Sequence, residues 1–163
     1  MTKDCALILG KFMPPHLGHK FLVAFARSMC RDLGIDLCIL MDSPDNPPIG
    51  PDIRLAWMQE AFPDVRVVHA HCPTPQEPPE DPKGREAFWE FWRRLILEYI
   101  PNSPSHVFGS ESYCFKIAAL FSAETVPVDM DREHLPISAT RIRQSPMRHW
   151  DLILDQARPY FLK

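Results

Sequence analysis

The sequence predicts an α/β fold: a doubly wound sheet of about five parallel strands with helices on both faces. Three features carry this reading. Short, continuously apolar runs alternate with longer segments whose apolar residues recur every three or four positions, the respective marks of buried strands and amphipathic helices. Gly and Pro punctuate the junctions between them. Strands separated by helices join through right-handed crossovers and so lie parallel.

The first strand is read at residues 5–9, followed by a glycine turn and a helix reaching about Leu33. Leu22, Phe25, Met29 and Leu33 recur at helical spacing, so they form the expected core-facing stripe, which ends near Gly34. Residues 36–41 contain Leu37, Cys38, Ile39 and Leu40, too continuous for a half-exposed strand, and are expected beside the first. Gly50-Pro51 is an N-cap and N1 pair opening a helix in which Ile53, Ala56, Trp57, Glu60 and Ala61 follow helical spacing. Trp57 reads as core. Arg54 falls on another face in the first turn, where the dipole disfavours a cation unless an anion is bound, so a ligand contact and a solvated Arg both stay open.

A third strand is read at 65–70 and a third helix from about Arg85 to Tyr99. Phe88, Trp92, Leu95, Ile96 and Tyr99 form its stripe, with Trp89 turned about 100° from Phe88. A strand at 106–109, a turn over 109–113 into a helix through Ile117 and Leu120, and a strand at 124–128 follow. Ser138 is a natural N-cap for a short helix, and the chain closes through residues 150–154 and Arg158-Pro159-Tyr160-Phe161.

At 163 residues the chain fits one domain, long enough to bury about two thirds of its unfolded surface. Its 45% hydrophobic and 24% charged residues are ordinary for a globular protein and argue against disorder. A net charge of -3 and a pI near 6.1 supply no broad positive field, so a nucleic-acid partner is not expected and any anion site has to be local. Cys5, Cys30, Cys38, Cys72 and Cys114 are odd in number and lack a Cys-x-x-Cys pair, so they read as reduced thiols. No apolar stretch approaches the length of a membrane span or of a secretory h-region, so no membrane contact is expected and a cytoplasmic location is the default. Half of the 18 prolines are concentrated at 44–51 and 73–82, which read as rigid loops. His69 and His71 share a strand face beside Cys72, but no fourth ligand has supporting spacing and no metal site is expected.

Between the first strand and first helix lies Gly10-Lys11-Phe12-Met13-Pro14-Pro15-His16-Leu17-Gly18-His19. A strand feeding a helix through Gly and Pro leaves backbone N–H groups unpaired at the helix N-terminus, where the dipole favours phosphate. His16 and His19, three apart in a first helical turn, project from one face toward a common ligand, with Lys11 near them. The plainer reading of the pair alone is two exposed polar caps. The stretch is neither a Walker A loop nor Gly-x-Gly-x-x-Gly. A second element, Ile137-Ser138-Ala139-Thr140-Arg141-Ile142-Arg143, adds hydroxyl and guanidinium donors at another helix start. A mere cap would explain Ser138 but not Thr140 and two arginines where the dipole opposes cations.

The ordered pair His16-x-Gly18-His19 and Ile137-Ser138-x-Thr140-x-x-Arg143 resembles the nucleotidyltransferase superfamily, whose members transfer a nucleotide from a triphosphate and release pyrophosphate. Over nearly the whole chain it resembles nicotinamide-mononucleotide adenylyltransferases, particularly the adenylyltransferase domain of bacterial bifunctional enzymes in which a ribosylnicotinamide kinase follows. Further matches are Gly10-Lys11-Phe12, Arg54-x-x-Trp57-Met58, Val107-Phe108-x-Ser110-Glu111, Val128-Asp129 with Asp131-Arg132, Trp150, and Arg158-Pro159-Tyr160-Phe161. The resemblance implies a Rossmann-like nucleotidyltransferase domain over 1–163 with a helical subregion at 138–163. With no kinase P-loop and no helix-turn-helix arm in the sequence, it is expected to be that domain standing alone or cut at Lys163.

The implied reaction is ATP plus nicotinamide mononucleotide giving NAD and pyrophosphate. By the resemblance His16, His19, Lys11 and Arg143 are catalytic, and Gly10, Phe12, Gly18, Ser110, Ile137, Ser138 and Thr140 join them in binding ATP. Asp42, Arg54, Phe88, Trp89 and Arg132 would bind the mononucleotide. The family commonly stacks nicotinamide on a tryptophan near the start of the third long helix; an ungapped match puts Phe88 there with Trp89 next to it, and either ring could stack. Mg²⁺ is expected to ride on the phosphates and water, without protein ligands. ATP and the mononucleotide are the expected partners, with homo-oligomerisation possible. The alternatives are a nucleotidyltransferase with another phosphorylated acceptor and a sensor that binds ATP or NAD without turnover.

Overall fold

The computed structural model describes residues 4–162; residues 1–3 and 163, the ends of the expected domain, lie outside the described residues. Strands β1 (Cys5–Gly10), β2 (Asp36–Met41), β3 (Arg66–His69), β4 (Pro104–Gly109) and β5 (Glu124–Pro127) form one parallel sheet in the order β3-β2-β1-β4-β5. Helices α1 (Leu17–Leu33) and α2 (Pro51–Ala61) connect the strands on one side of β1; α3 (Pro82–Tyr99) and α4 (Tyr113–Leu120) lead to those on the other. This is the Rossmann-like arrangement the sequence predicts.

Alternation along β1 makes the two layers. Ala6 and Ile8 pack with Leu22, Val23 and Ala26 of α1 and Met58 of α2, whereas Leu7 and Leu9 meet Phe88, Trp92 and Ile96 of α3 and Ile117 of α4. Because helices cover both faces, β1 and β2 need apolar residues at successive positions. The chain steps from β1 to β3 in one direction and returns through α3 to β4 in the other, so the order reverses between β1 and β4. In open α/β sheets a ligand crevice opens at that reversal, outside the carboxyl ends of the strands.

Three local expectations are corrected. The sheet-facing stripe of α1 is Leu22, Val23, Ala26 and Cys30, while Phe25 and Leu33 are 45% and 48% exposed. Periodicity traced through large apolar residues passes over Ala26 and Cys30, whose small side chains let the helix approach the sheet closely. Helix α3 starts at Pro82, not near Arg85, because the Asp81 carboxylate accepts the Gly84 N–H at 2.7 Å and Pro82 occupies N1. Strand β4 starts two residues early, at Pro104, where a missing N–H costs the ladder little.

A third cluster lies off the sheet. Met13, Ile49 and Trp57 pack with Ile137, Ile142, Ile153 and Ala157, joining α5 (Ala139–Gln144) and two 3-10 turns, Trp150–Leu152 and Arg158–Leu162, to the loop after β1. An antiparallel bridge pairs His16 with Ile153, and the Leu154 N–H donates to the Pro15 carbonyl at 3.2 Å. Residues 138–162 are thus folded back onto the His16 loop. No helix among the described residues is long and apolar enough to cross a membrane.

Candidate functional site

A cleft of about 340 Å³ opens over the carboxyl ends of β1 and β4, within the size range of small-molecule sites. Its floor is Leu9, Gly10 and Gly109, and Tyr113 at the start of α4 closes it by donating to the Leu9 carbonyl at 2.6 Å. Burial holds the Tyr113 phenol far above its ordinary pKa, so it stays neutral. A Cβ at Gly109 would stand 2.7 Å from the Cys114 Cβ, so the turn into α4 requires glycine.

His16 is the N-cap of α1, one position before the helical turn that the spacing suggested. Its Nδ1 accepts the Gly18 N–H at 3.0 Å, and the His19 Nδ1 accepts the His16 N–H at 3.1 Å, a reciprocal capping box made of two imidazoles. The rings stack with centroids 3.7 Å apart, and Phe12 meets His19 edge-on at 4.6 Å. Gly18 makes room for this, since a Cβ there would lie 2.7 Å from the His16 Cε1. A neutral imidazole accepting at Nδ1 carries its proton at Nε2, so both rings hold N–H donors free of the cap. Burial, followed by the nearby Arg132 charge, pushes His16 down to about 4. Burial also lowers His19, with His16 and Arg132 adding to the effect.

The late motif reaches the same cleft. Ser138 caps α5 by accepting the Arg141 N–H at 3.3 Å, and Arg143 anchors by donating to the Met13 carbonyl at 2.5 Å. Ser138, Thr140 and Arg143 line the cleft with Lys11, whose ammonium has no protein partner among the described residues. Ser110 lines the cleft as well. Arg132, in a left-handed backbone conformation, donates to the Ile137 carbonyl and lies 3.5 Å from Glu111.

Asp42, Phe88 and Trp89 line the cleft as well. Phe88 is buried in the lower core, and Trp89 crosses its edge at 4.8 Å and 89° while remaining partly open.

Two expected contacts fall outside the cleft. Arg54 is neither solvated nor open to a ligand: it is 0% exposed and donates to the Ile49 carbonyl at 2.8 Å, the Lys11 carbonyl at 2.5 Å and the Ser43 Oγ at 2.5 Å. A carbonyl cluster, not an anion, satisfies the cation. Ile137 packs in the third core cluster and offers only its carbonyl, to Arg132. His69 and His71 bind separate partners, His69 Nε2 lying 2.7 Å from Ser43 Oγ and His71 pairing with Glu98.

Sequence reasoning missed Thr74 and Gln76. The Thr74 hydroxyl donates to the Asp42 Oδ2 at 2.9 Å and the Gln76 amide to the same oxygen at 3.3 Å. No periodicity marks polar residues within a proline-rich loop, and only the fold sets them beside the end of β2.

No family model matches the chain. It is 28% identical over 174 residues to the trifunctional NAD biosynthesis/regulator protein NadR of Escherichia coli (strain K12), and 27% over 173 residues to the protein of that name from Salmonella typhimurium. Each alignment spans 99% of this chain but 41% of the relative, so the chain covers about two fifths of their length. Among solved structures it resembles a NadR protein in complex with NAD and AMP-PNP, with a TM-score of 0.66 at 24% identity over 99% of this chain and 48% of that one. A bifunctional NMN adenylyltransferase/ADP ribose pyrophosphatase from Francisella tularensis gives 0.62 at 18% over 95% and 44%. At these identities the structures speak for the fold. The sequence comparisons thus give a distant likeness to NadR proteins over nearly the whole chain, and the solved structures agree with the fold.

Proposed function

We propose that this chain is a nucleotidyltransferase domain that adenylylates nicotinamide mononucleotide, forming NAD and pyrophosphate from ATP. The observation that carries the reading is the meeting of two distant motifs, with the stacked His16 and His19 facing Arg143, Lys11 and Arg132 around one cleft. A phosphate oxygen of the mononucleotide attacks the α-phosphorus of ATP, and the bond to the β-phosphate breaks as pyrophosphate leaves. No protein nucleophile is needed. Alignment of two polyanions and stabilisation of the transition-state charge are what this chain supplies.

The histidines act here as neutral Nε2–H donors to the reacting phosphate, their orientation set by the capping box. Lys11, Ser138, Thr140 and Arg143 hold the triphosphate, and Trp89 offers the open ring face for nicotinamide while Phe88 backs it. The carboxylates that reach the cleft do not cluster: Asp129 accepts the His134 and Leu135 N–H groups, Glu111 faces Arg132, and Asp42 is bound by Thr74 and Gln76. That donor set suits Mg²⁺ carried by phosphate and water, and the bound cation would neutralise charge on the departing pyrophosphate.

The test is a coupled assay of NAD formation with ATP, Mg²⁺ and nicotinamide mononucleotide, run beside other phosphorylated acceptors. His19→Ala is expected to slow turnover by about 10² or more, the scale of losing a preorganised donor. Normal turnover in that variant would remove His19 from the chemistry. Saturable ATP binding without pyrophosphate release on any acceptor would make the protein a sensor instead.

A further inference from the structure

Asp42 ends β2 at the cleft and is 4% exposed. A buried carboxylate is costly unless its oxygens find donors. Here both side-chain donors, Thr74 Oγ1 at 2.9 Å and Gln76 Nε2 at 3.3 Å, fall on Oδ2. Its Oδ1 accepts from no protein donor among the described residues. No buried polar atom lacks a partner, so that oxygen opens to the cleft. The carboxylate cannot swing freely. The two Gln76 N–H groups are shared between Asp42 Oδ2 and the Thr74 carbonyl and hydroxyl, at 3.0 Å and 2.9 Å, and the Thr74 N–H is held by the Ser43 carbonyl at 2.9 Å.

The same cleft holds the partly open Trp89, with Pro78 and Phe88. An indole face and a fixed carboxylate both favour a flat ring carrying positive charge. A carboxylate can only accept hydrogen bonds, so it matches a carboxamide N–H and repels a carboxylate on the same ring. We propose that Asp42, tethered through Oδ2 by Thr74 and Gln76, selects an amide-bearing pyridine mononucleotide over the corresponding acid. The inference rests on the function proposed above and adds to it the residue that decides the acceptor.

The substitution Asp42→Asn discriminates well. Its carbonyl can take the two bonds that Oδ2 now takes, which turns an NH₂ donor toward the cleft and matches an acid. Thr74→Val keeps the charge but releases one tether.

The experiment measures kcat/KM at saturating ATP for nicotinamide mononucleotide and nicotinate mononucleotide, in the wild type and both variants, with ATP binding titrated as the check on folding. The wild type is expected to favour the amide by about 10² or more, as sites built around a hydrogen-bonded group do. Asp42→Asn should compress that ratio to within about tenfold, chiefly by gaining rate on the acid, and Thr74→Val should shift it less in the same direction. Active protein whose ratio moves in neither variant overturns the selector while leaving the adenylyl transfer standing. A wild type that uses both substrates equally does the same. Transfer to neither mononucleotide, with ATP still bound, ends the proposed reaction and the selector together.

Discussion

His16 shows how one side chain serves structure and site together. As N-cap it satisfies the Gly18 N–H, and its ring lies 3.7 Å from that of His19. Two protonated imidazoles at that separation would repel, so the neutral state belongs to the ligand-free fold. Its depressed pKa has a definite sign in stability. The unfolded chain takes a proton near pH 6.5, and the folded chain refuses it until about pH 4. Unfolding therefore binds protons within that window, and stability falls as the pH drops through it, by roughly 3 kcal/mol from His16, with no contribution above it. Denaturant midpoints between pH 4 and 7.5 are expected to show this decline. His16→Asn, which still caps but cannot titrate, should remove the His16 share of the decline and leave that of the buried His19; an unchanged slope would assign the whole decline elsewhere. The spacing of the two histidines was legible in the sequence. Their stacking was not, because it depends on an N-cap backbone angle and on the space that Gly18 leaves.

At the scale of elements, α2 acts through one residue. Arg54 reaches from its first turn to the Lys11 carbonyl after β1 and to Ser43 after β2, with a long 3.4 Å contact to the Asp42 carbonyl, and so fixes the two loops that carry cleft residues. The Ser43 hydroxyl accepts from Arg54 and shares a 2.7 Å hydrogen bond with His69 Nε2, which ties β3 into the same brace. A helical wheel shows Arg54 apart from Trp57 and stops there. The carbonyls that meet it come from segments distant in sequence, so solvent and ligand were both reasonable destinations. Arg54→Ala is expected to cost about 3 kcal/mol or more in urea unfolding, because several buried acceptors lose a charged donor at once. Arg54→Lys should recover little of it, since one ammonium cannot span three acceptors. A cost below about 0.5 kcal/mol, typical of a solvated surface residue, would refute the brace.

At the scale of the molecule, two sheet-bound cores build the cleft and a third cluster completes it. Ile142 and Ile153 hold the Arg143 segment over the His16 loop, with Met13 and Trp57 beneath. Ile142→Ala is expected to lower stability by about 2–5 kcal/mol and to weaken ATP binding although Ile142 is buried in the cluster and does not line the cleft, read by thermal melting and by titration. Melting lowered with ATP affinity intact would separate the cluster from the site. Continuous apolar runs, glycine turns and helix caps determined the five parallel strands and their helices, because each is set by the period and local chemistry of a few neighbouring residues. Both phosphate motifs could be read as well, since a helix start announces itself in its own residues. The tertiary structure alone decided that Arg54 turns inward, that Ile137 packs away from the cleft, and that Thr74 and Gln76 grip Asp42. Those outcomes depend on which unpaired donors and acceptors meet once strands far apart in the chain lie side by side, and no local pattern encodes that meeting.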